Sequence, residues 1–416
     1  MIEKMSGLVW GGGLVFLLLF TGTVYTVKLR AVQFRLPGFL ISRVKHKSGT
    51  AGISQRKTVC MALGAAMGTG NIAGVAAALA AGGPGAVFWM WVSAFLGMSL
   101  VYAENALSAV YSGDDVRGPM AYISQGLGSK ALAGAFALMC VFAALGMGGM
   151  VQVNAVSECV RQTADVPPVL IAVAAFAAML PVTLGGAQRI GSAAQALLPA
   201  AALLYAGVCI AAAAHSADRI PGAFSAIFTS AFGIKQAAGG AAGFGISKAV
   251  AVGLRRGIFS NEAGLGSSPL LHSAAVDTSP YEQSMWSMAE VFTDTVLCCT
   301  LTAIALLTAA PDLSPATAAA TVLGGASVYF TASVMTVFAF CTVIGWYYCG
   351  AEAFRYLSGG RYMCLFCVSY SIIASLGAVV SSGTVWAVSD IFNGLMAFPN
   401  LLALLLLINK VRRYKP

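Results

Sequence analysis

The sequence predicts an all-helical integral membrane protein, and three observations carry that prediction. Of 416 residues, 58% are hydrophobic and only 9% charged, with a mean hydropathy of +0.82; soluble domains carry roughly 25% charged residues. Apolar windows of about 20 residues, enough to cross a bilayer as a helix, recur along the whole chain. Lysine and arginine collect in alternate connections between those windows, the pattern that orients helical membrane proteins. The ten-residue alternating strands of a membrane barrel are absent.

Eleven windows qualify: 8–27, 58–80, 86–110, 131–158, 167–185, 193–214, 238–256, 286–309, 329–356, 362–382 and 385–409. The first is too long for a cleaved signal core and no Ala-x-Ala follows it, so it reads as a retained span. With the N-terminus outside, 20 of the 24 Lys and Arg fall on the cytoplasmic side, leaving Lys4, Arg161, Arg219 and Lys235 opposite. That bias predicts an outside N-terminus and a cytoplasmic C-terminus. It also accounts for the net charge of +9 without a nucleic-acid partner. The basic stretch 28–57, with Phe34, Leu36, Phe39, Leu40 and Ile41 interleaved, is expected along the inner membrane surface. Within 215–237, the run from Ile220-Pro221 to Phe232 suits a short helix on the outer face.

Setting the first window apart leaves ten, which divide as five plus five. The expected organisation is an N-terminal helix with a basic linker (1–57), a first half (58–214), an outer loop (215–237), and a second half with a basic tail (238–416). Gly68-Thr69-Gly70-Asn71 interrupts the first window of one half. Gly243-Phe244-Gly245 stands at the corresponding place in the other. Glycine costs about 1 kcal/mol relative to alanine inside a helix, and broken backbone at membrane depth is tolerated only where protein encloses it or a cavity is lined. Glycine-interrupted spans at matching positions of inverted halves point to a transporter's site. Such a break presents free N–H groups to a carboxylate and free carbonyls to a hard cation. Close helix packing by small residues is the simpler use of any one Gly-x-Gly.

Ionisable groups in spans are costly and need a reason. Glu290 and Asp294 are four apart and share a face, in the first third of 286–309; joining helix ends and lining an ion path are both open to them. Asp390 lies beside Trp386, Asn393 and Asn400, where it either braces a break or meets a ligand. Glu104 and Asn105 suit a helix end. Gln152 and Asn154 lie on different faces, so only one is expected at the site. Thr342 either bonds its own helix's carbonyl four residues back or faces the broken span. Lys248 can snorkel inward. The segment Ser260–Gly264 reads as a turn with one carboxylate near the cytoplasmic end of its helix. No carboxylate lies in 58–80, which favours Na⁺ over H⁺ as the ion held there.

Enzyme chemistry finds no support: there is no Ser/His/Asp set, no His-Glu-x-x-His, and no catalytic residue is assigned. A Gly-x₄-Gly-Lys-Ser/Thr loop is also missing, which argues against an ATP-driven pump. The ten cysteines lie mostly in apolar windows and behave as small apolar residues. Cys364-x-x-Cys367 is the only Cys-x-x-Cys, with no second such motif or histidine pair nearby, so no cofactor is expected. A channel would need a lined pore with ring-forming polar motifs, for which nothing in the chain speaks.

Longer strings resemble the alanine or glycine:cation symporter family. They are Gly68-Thr-Gly-Asn-Ile-Ala-Gly-Val75, Gly82-Gly-Pro-Gly-Ala-Val-Phe-Trp-Met-Trp91 and Arg256-Gly-Ile-Phe-Ser-Asn-Glu-Ala-Gly-Leu-Gly-Ser267. Glu290-Val-Phe-Thr-Asp-Thr295, Phe338-Ala-Phe-Cys-Thr-Val-Ile-Gly-Trp346 and Asn393-Gly-Leu-Met-Ala-Phe-Pro-Asn400 continue the match in order. The resemblance implies a LeuT-type five-plus-five inverted repeat preceded by one extra helix, eleven transmembrane helices in all. It implies a multi-pass protein of the bacterial inner membrane that couples sodium to uptake of alanine or glycine, with proton coupling the alternative. By position, Thr69, Gly70, Asn71, Gln152, Phe244 and Trp346 are the substrate candidates; Gly68, Thr342 and Cys341 are the sodium candidates. Cys341 stands where the family has serine, a poor exchange for a sodium ligand. Gly149 replaces an asparagine, and Lys248 stands where an uncharged residue is expected.

Overall fold

The computed structural model describes residues 5, 7, 9–44, 54–113, 115–232, 242–275, 278–412 and 414, with side chains omitted at 43–44 and 242–247. The described residues are helical throughout, joined by turns. The helices are α1 (Gly12–Lys28), α2 (Leu36–Val44), α3 (Gln55–Ala66), α4 (Ala73–Gly82), α5 (Gly85–Tyr111), α6 (Lys130–Thr163) and α7 (Pro168–Leu184). They continue as α8 (Gly186–His215), α9 (Ile220–Ala231), α10 (Ala242–Asn261), α11 (Ser267–His272), α12 (Pro280–Ala309) and α13 (Pro315–Leu323). α14 (Ser327–Ser358), α15 (Met363–Leu376) and α16 (Ser382–Leu406) complete the set. Among the described residues, six helical runs are each long and apolar enough to cross a membrane, and the bent pair Gly12–Lys28 and Val32–Ser42, at 59°, makes a seventh. α4, α7 and α15 are apolar but shorter. The chain is thus a multi-pass, all-helical membrane protein.

Local chemistry explains where the helices start. Ser54, Ser129, Ser279 and Ser314 each occupy an N-cap and accept the backbone N–H three residues on, at 3.1–3.4 Å; such caps satisfy donors that helix geometry leaves open. Pro280 and Pro315 follow two of them at the first helical position, where the absent N–H costs nothing. The cap at Ser279 starts α12 six residues before the apolar window 286–309. Asp294 therefore sits midway along its helix, not in the first third, because a cap and a proline, rather than hydrophobicity, decide the start. α9 is the short helix expected at 220–232, and its Phe228, with Phe232 just beyond it, packs against Phe88 of α5.

Side-chain contacts fix the helix directions. Trp10 donates to the Asp390 carbonyl at 2.7 Å, Tyr25 to the Leu404 carbonyl at 2.6 Å, and Lys28 to Asn409 at 3.3 Å, so α1 and α16 run parallel. α10 runs the same way: Arg255 pairs with Asp390, and Gly264, just beyond α10, meets Leu18 and Leu401. α3 and α4 run oppositely, with Gly70 facing Ser260 and Gly82 facing Val252.

Two sequence expectations change. Gly243-Phe244-Gly245 does not interrupt a helix, since α10 runs unbroken from Ala242 to Asn261. Glycine lowers helix propensity without ending a helix. The break comes at Glu262–Gly266, where Glu262, Gly264 and Gly266 take φ of 56°, 85° and 82°. Helices end on such left-handed residues. Lys248, Arg255 and Arg256 consequently belong to the Trp10 end, opposite Lys28 and Lys410. That reduces the charge bias without reversing it.

Candidate functional site

Two broken helices meet break to break. α3 stops at Ala66, Gly68 is extended, and Thr69–Asn71 form one tight turn before α4 begins. The Thr69 N–H and hydroxyl both donate to Gln152 Oε1, at 3.2 and 3.1 Å, and Gln152 Nε2 donates to the Met147 carbonyl at 3.2 Å. Gln152 follows a widened, underwound turn of α6 at Ala144–Met150, a feature frequent at functional sites. Asn154 turns away to the Gly377 and Val380 carbonyls, so one of the two amides serves the break, as their spacing predicts. A Cβ on Gly68 would lie 2.7 Å from Thr342 Oγ1 and 2.9 Å from Gln152 Oε1. Only glycine fits without displacing one of them.

Asp294 ties the two breaks together. It lies in the widened turn Phe292–Cys299 of α12 and is fully buried. Asn71 Nδ2 donates to its Oδ1 at 2.7 Å and to its carbonyl at 3.1 Å. Ser260, at the end of α10, donates to Oδ2 at 2.7 Å, and Thr295 does so at 2.8 Å. Thr302 donates to the Asn71 carbonyl at 2.8 Å and bonds the Tyr205 hydroxyl at 2.8 Å. Cys299 Sγ lies 3.5 Å from Asn71 Nδ2 and 3.4 Å from Ser260 Oγ. One oxygen, Asn71 Oδ1, is buried with no partner among the described residues. A buried acceptor left unmade costs about 1–3 kcal/mol, so this is where a further donor or cation gains most.

The second break is held by its own carboxylate. Glu262 accepts from Trp346 Nε1 at 2.7 Å and from Ser267 Oγ at 2.6 Å. These bonds clamp a non-glycine residue in the left-handed region, a conformation costing about 1–3 kcal/mol. Trp346 lies fully buried against Gly148, where an added Cβ would collide with that of Trp346, so α6 and α14 approach at glycine. Thr342 donates to the Gly64 carbonyl at 2.9 Å and to Phe338 at 3.1 Å; both roles foreseen for it, its own helix and the broken span, are realised together. Cys341 packs its Cβ on Gly64, one turn before Gly68.

The predicted residues therefore divide. Gly68, Thr69, Gly70, Asn71, Gln152 and Thr342 converge on the first break. Trp346 reaches the second break through Glu262. Cys341 faces Gly64, and Phe244 lies outside the described side chains. Lys248 is exposed, away from both breaks. Asp294, for which joining helix ends and lining an ion path were both open, joins the site, as do Ser260, Cys299, Thr302 and Glu262 from positions read as turn or apolar span. Glu290, one helical turn from Asp294, points instead to Ser268 and His272, at 3.3 and 3.1 Å. Glu104 accepts from Asn400, which also donates to the Gly264 carbonyl at 2.9 Å, so that pair supports the second break from behind.

A model of the sodium:alanine symporter family matches residues 1–415. The chain belongs to that family. It is 38% identical over 432 residues to the sodium/alanine symporter AgcS of Methanococcus maripaludis, covering 98% of this chain and 94% of the relative. An uncharacterized transporter of Haemophilus influenzae is 40% identical, with 97% and 92% covered. A probable sodium/glutamine symporter, GlnT, of Bacillus subtilis is 32% identical, with 97% and 87% covered. Family membership makes this a transporter-family chain and supports cation-coupled amino-acid symport. The site contains carboxylate, amide, hydroxyl and main-chain groups around two helix breaks, a donor and acceptor set suited to a small zwitterion and a hard cation.

Proposed function

We propose that this symporter-family protein couples an inward sodium gradient to uptake of a small neutral amino acid, alanine or glycine, by alternating access around the paired breaks. The observation that carries this reading is the apposition of two antiparallel broken helices through one buried carboxylate, Asp294. Broken helices of opposite direction at a common depth are the arrangement that inverted-repeat transporters use for substrate and ion. On this reading 58–214 and 238–416 form a LeuT-type inverted repeat of ten helices after one added helix. The N-terminus lies outside and the C-terminus in the cytoplasm of a bacterial cell.

The backbone N–H groups of the Gly68–Asn71 turn receive the substrate carboxylate, and Asp294 with Asn71 Oδ1 receives its ammonium. Close packing at Gly68, Gly148 and Gly345 leaves room for a small side chain only. Sodium is held beside Gly68 by the Thr342 hydroxyl and the carbonyls of the broken span, Gly64 among them. Cys341 does not contribute its sulfur, since its side chain meets Gly64 rather than the break. Proton coupling is the second reading, favoured by the burial of Asp294 at the site itself.

Reconstituted protein tests this directly. Alanine or glycine uptake into proteoliposomes rises with an inward sodium gradient. Equal uptake with K⁺ in place of Na⁺ at matched membrane potential overturns sodium coupling, and acceleration by an inward proton gradient under that condition establishes the second reading.

A further inference from the structure

A cavity of about 300 Å³ opens toward the Trp10 end between α4, α6 and α14, roofed by the start of α13. Its buried wall includes Ile72, Ala155 and Met335, and Ile72 directly follows Asn71 of the first break. Its outer rim carries Glu158 and Gln162, which lie on one face of α6 by their four-residue spacing.

Glu158 is the one carboxylate in that lining. It is exposed and makes no hydrogen bond or ion pair among the described residues. Arg161, one turn along α6, is exposed and forms no ion pair with it among the described residues. Arg219 donates to the Thr308 carbonyl at 3.3 Å. Asp312 accepts from the Thr317 hydroxyl at 2.8 Å and the Ser314 N–H at 3.1 Å, bonds that hold its carboxyl below its ordinary range. An unpaired carboxylate at the mouth of a low-dielectric cavity concentrates cations there and speeds their capture, by roughly tenfold or more at low salt. The effect fades within a Debye length of about 8 Å at physiological ionic strength.

We propose that this cavity is an access subsite in which Glu158 captures the ammonium group of the incoming amino acid before it reaches the Asn71 break. The substrate class rests on the amino-acid reading above; the cation preference of the cavity does not. Gln162 offers the amide that a zwitterion's carboxylate requires, so the subsite takes a small amino acid in preference to a simple organic cation.

Cys159 lies in the same wall and is half-buried, and besides it only Cys60 and Cys364 are not buried. In a Cys60→Ala/Cys364→Ala background it is a native reporter. The rates at which trimethylammonium-ethyl and sulfonatoethyl methanethiosulfonate label Cys159 are measured in the full-length protein, with Glu158 and with Glu158→Gln. The cationic reagent is expected to gain about five- to tenfold over the anionic one when Glu158 is present, and that ratio collapses toward unity in Glu158→Gln. Millimolar alanine slows labelling by the cationic reagent only when Glu158 is present. In proteoliposomes Glu158→Gln lowers kcat/KM about fivefold at low ionic strength, and added salt erases the difference. A labelling ratio unchanged by Glu158→Gln overturns the subsite whatever uptake shows. A ratio that falls while alanine gives no protection overturns the ammonium assignment.

Discussion

Replacing Gly68 by alanine isolates the contact on which the first break depends. The backbone there, with φ −108° and ψ −150°, is open to any residue, so the effect comes from the added Cβ alone. That carbon would lie 2.7 Å from Thr342 Oγ1 and 2.9 Å from Gln152 Oε1. Neither group can swing freely: Thr342 is bonded to two carbonyls, and Gln152 Oε1 accepts both Thr69 donors. Displacing Gln152 forfeits two hydrogen bonds at about 1 kcal/mol each, together roughly 30-fold at 1.4 kcal/mol per decade. Gly70→Ala is the internal comparison, because its Cβ would come no nearer than 3.9 Å to Ser260, an ordinary contact. Initial rates of alanine uptake in proteoliposomes, with thermal unfolding in detergent as the folding control, read both. Gly68→Ala is expected to lose about 30-fold in kcat/KM and Gly70→Ala less than about threefold. Equal losses, or a larger loss at Gly70, refute the contact argument.

Asp294→Asn keeps one acceptor oxygen but sets an NH2 against either Asn71 or the Ser260 and Thr295 hydroxyls; a buried unpaired donor costs about 1–3 kcal/mol, so kcat/KM falls roughly 5- to 150-fold, and wild-type uptake removes Asp294 from the site. Thr342→Ala raises the sodium concentration for half-maximal uptake about fivefold, the worth of one such bond, and Thr342→Ser restores it. Cys341→Ser stays within about twofold of wild type in the same titration. Trp346→Phe leaves a Glu262 oxygen unpartnered and lowers the melting temperature in a detergent thermal-shift assay, with a cost of about 1–3 kcal/mol; an unchanged melt shows that the clamp on the second break is dispensable. Arg255→Gln and Asp390→Asn each cost about 1–2 kcal/mol, because the Arg255 side chain is 36% exposed but that of Asp390 only 11%, which places the pair between the exposed and the buried case. Their double-mutant cycle gives a non-zero coupling term in chemical denaturation.

The site was legible where local backbone chemistry governs it. Gly68 and Gly70 mark a real break because glycine weakens the helix there and nothing but protein can satisfy the freed groups. Helical spacing alone showed that only one of Gln152 and Asn154 could serve the site; the family resemblance pointed to Gln152. The same local reasoning misplaced the second break. Gly243 and Gly245 have the right composition, yet α10 passes through them and ends at Asn261, inside the segment Ser260–Gly264 that read as a turn but not as the break; Glu262 itself carries no propensity signal for a left-handed turn. Its conformation is sustained by Trp346, 84 positions away. Asp294 was visible as a buried carboxylate, but the apolar window hid the start of its helix at Ser279 and thus its depth.

Composition and charge alone determined that this chain is an all-helical membrane protein, because apolar length and the cost of burying charge are properties of each segment by itself. The order of its long motifs determined its family. Tertiary structure decided which groups meet. It alone brought Asp294, Ser260 and Thr302 to Asn71, turned Cys341 toward Gly64, and moved Arg255 and Arg256 to the Trp10 end. Those outcomes depend on the relative rotation, depth and direction of separate helices. Underwound turns at Ala144–Met150 and Phe292–Cys299 reset that rotation by a fraction of a turn, and no window of sequence records it.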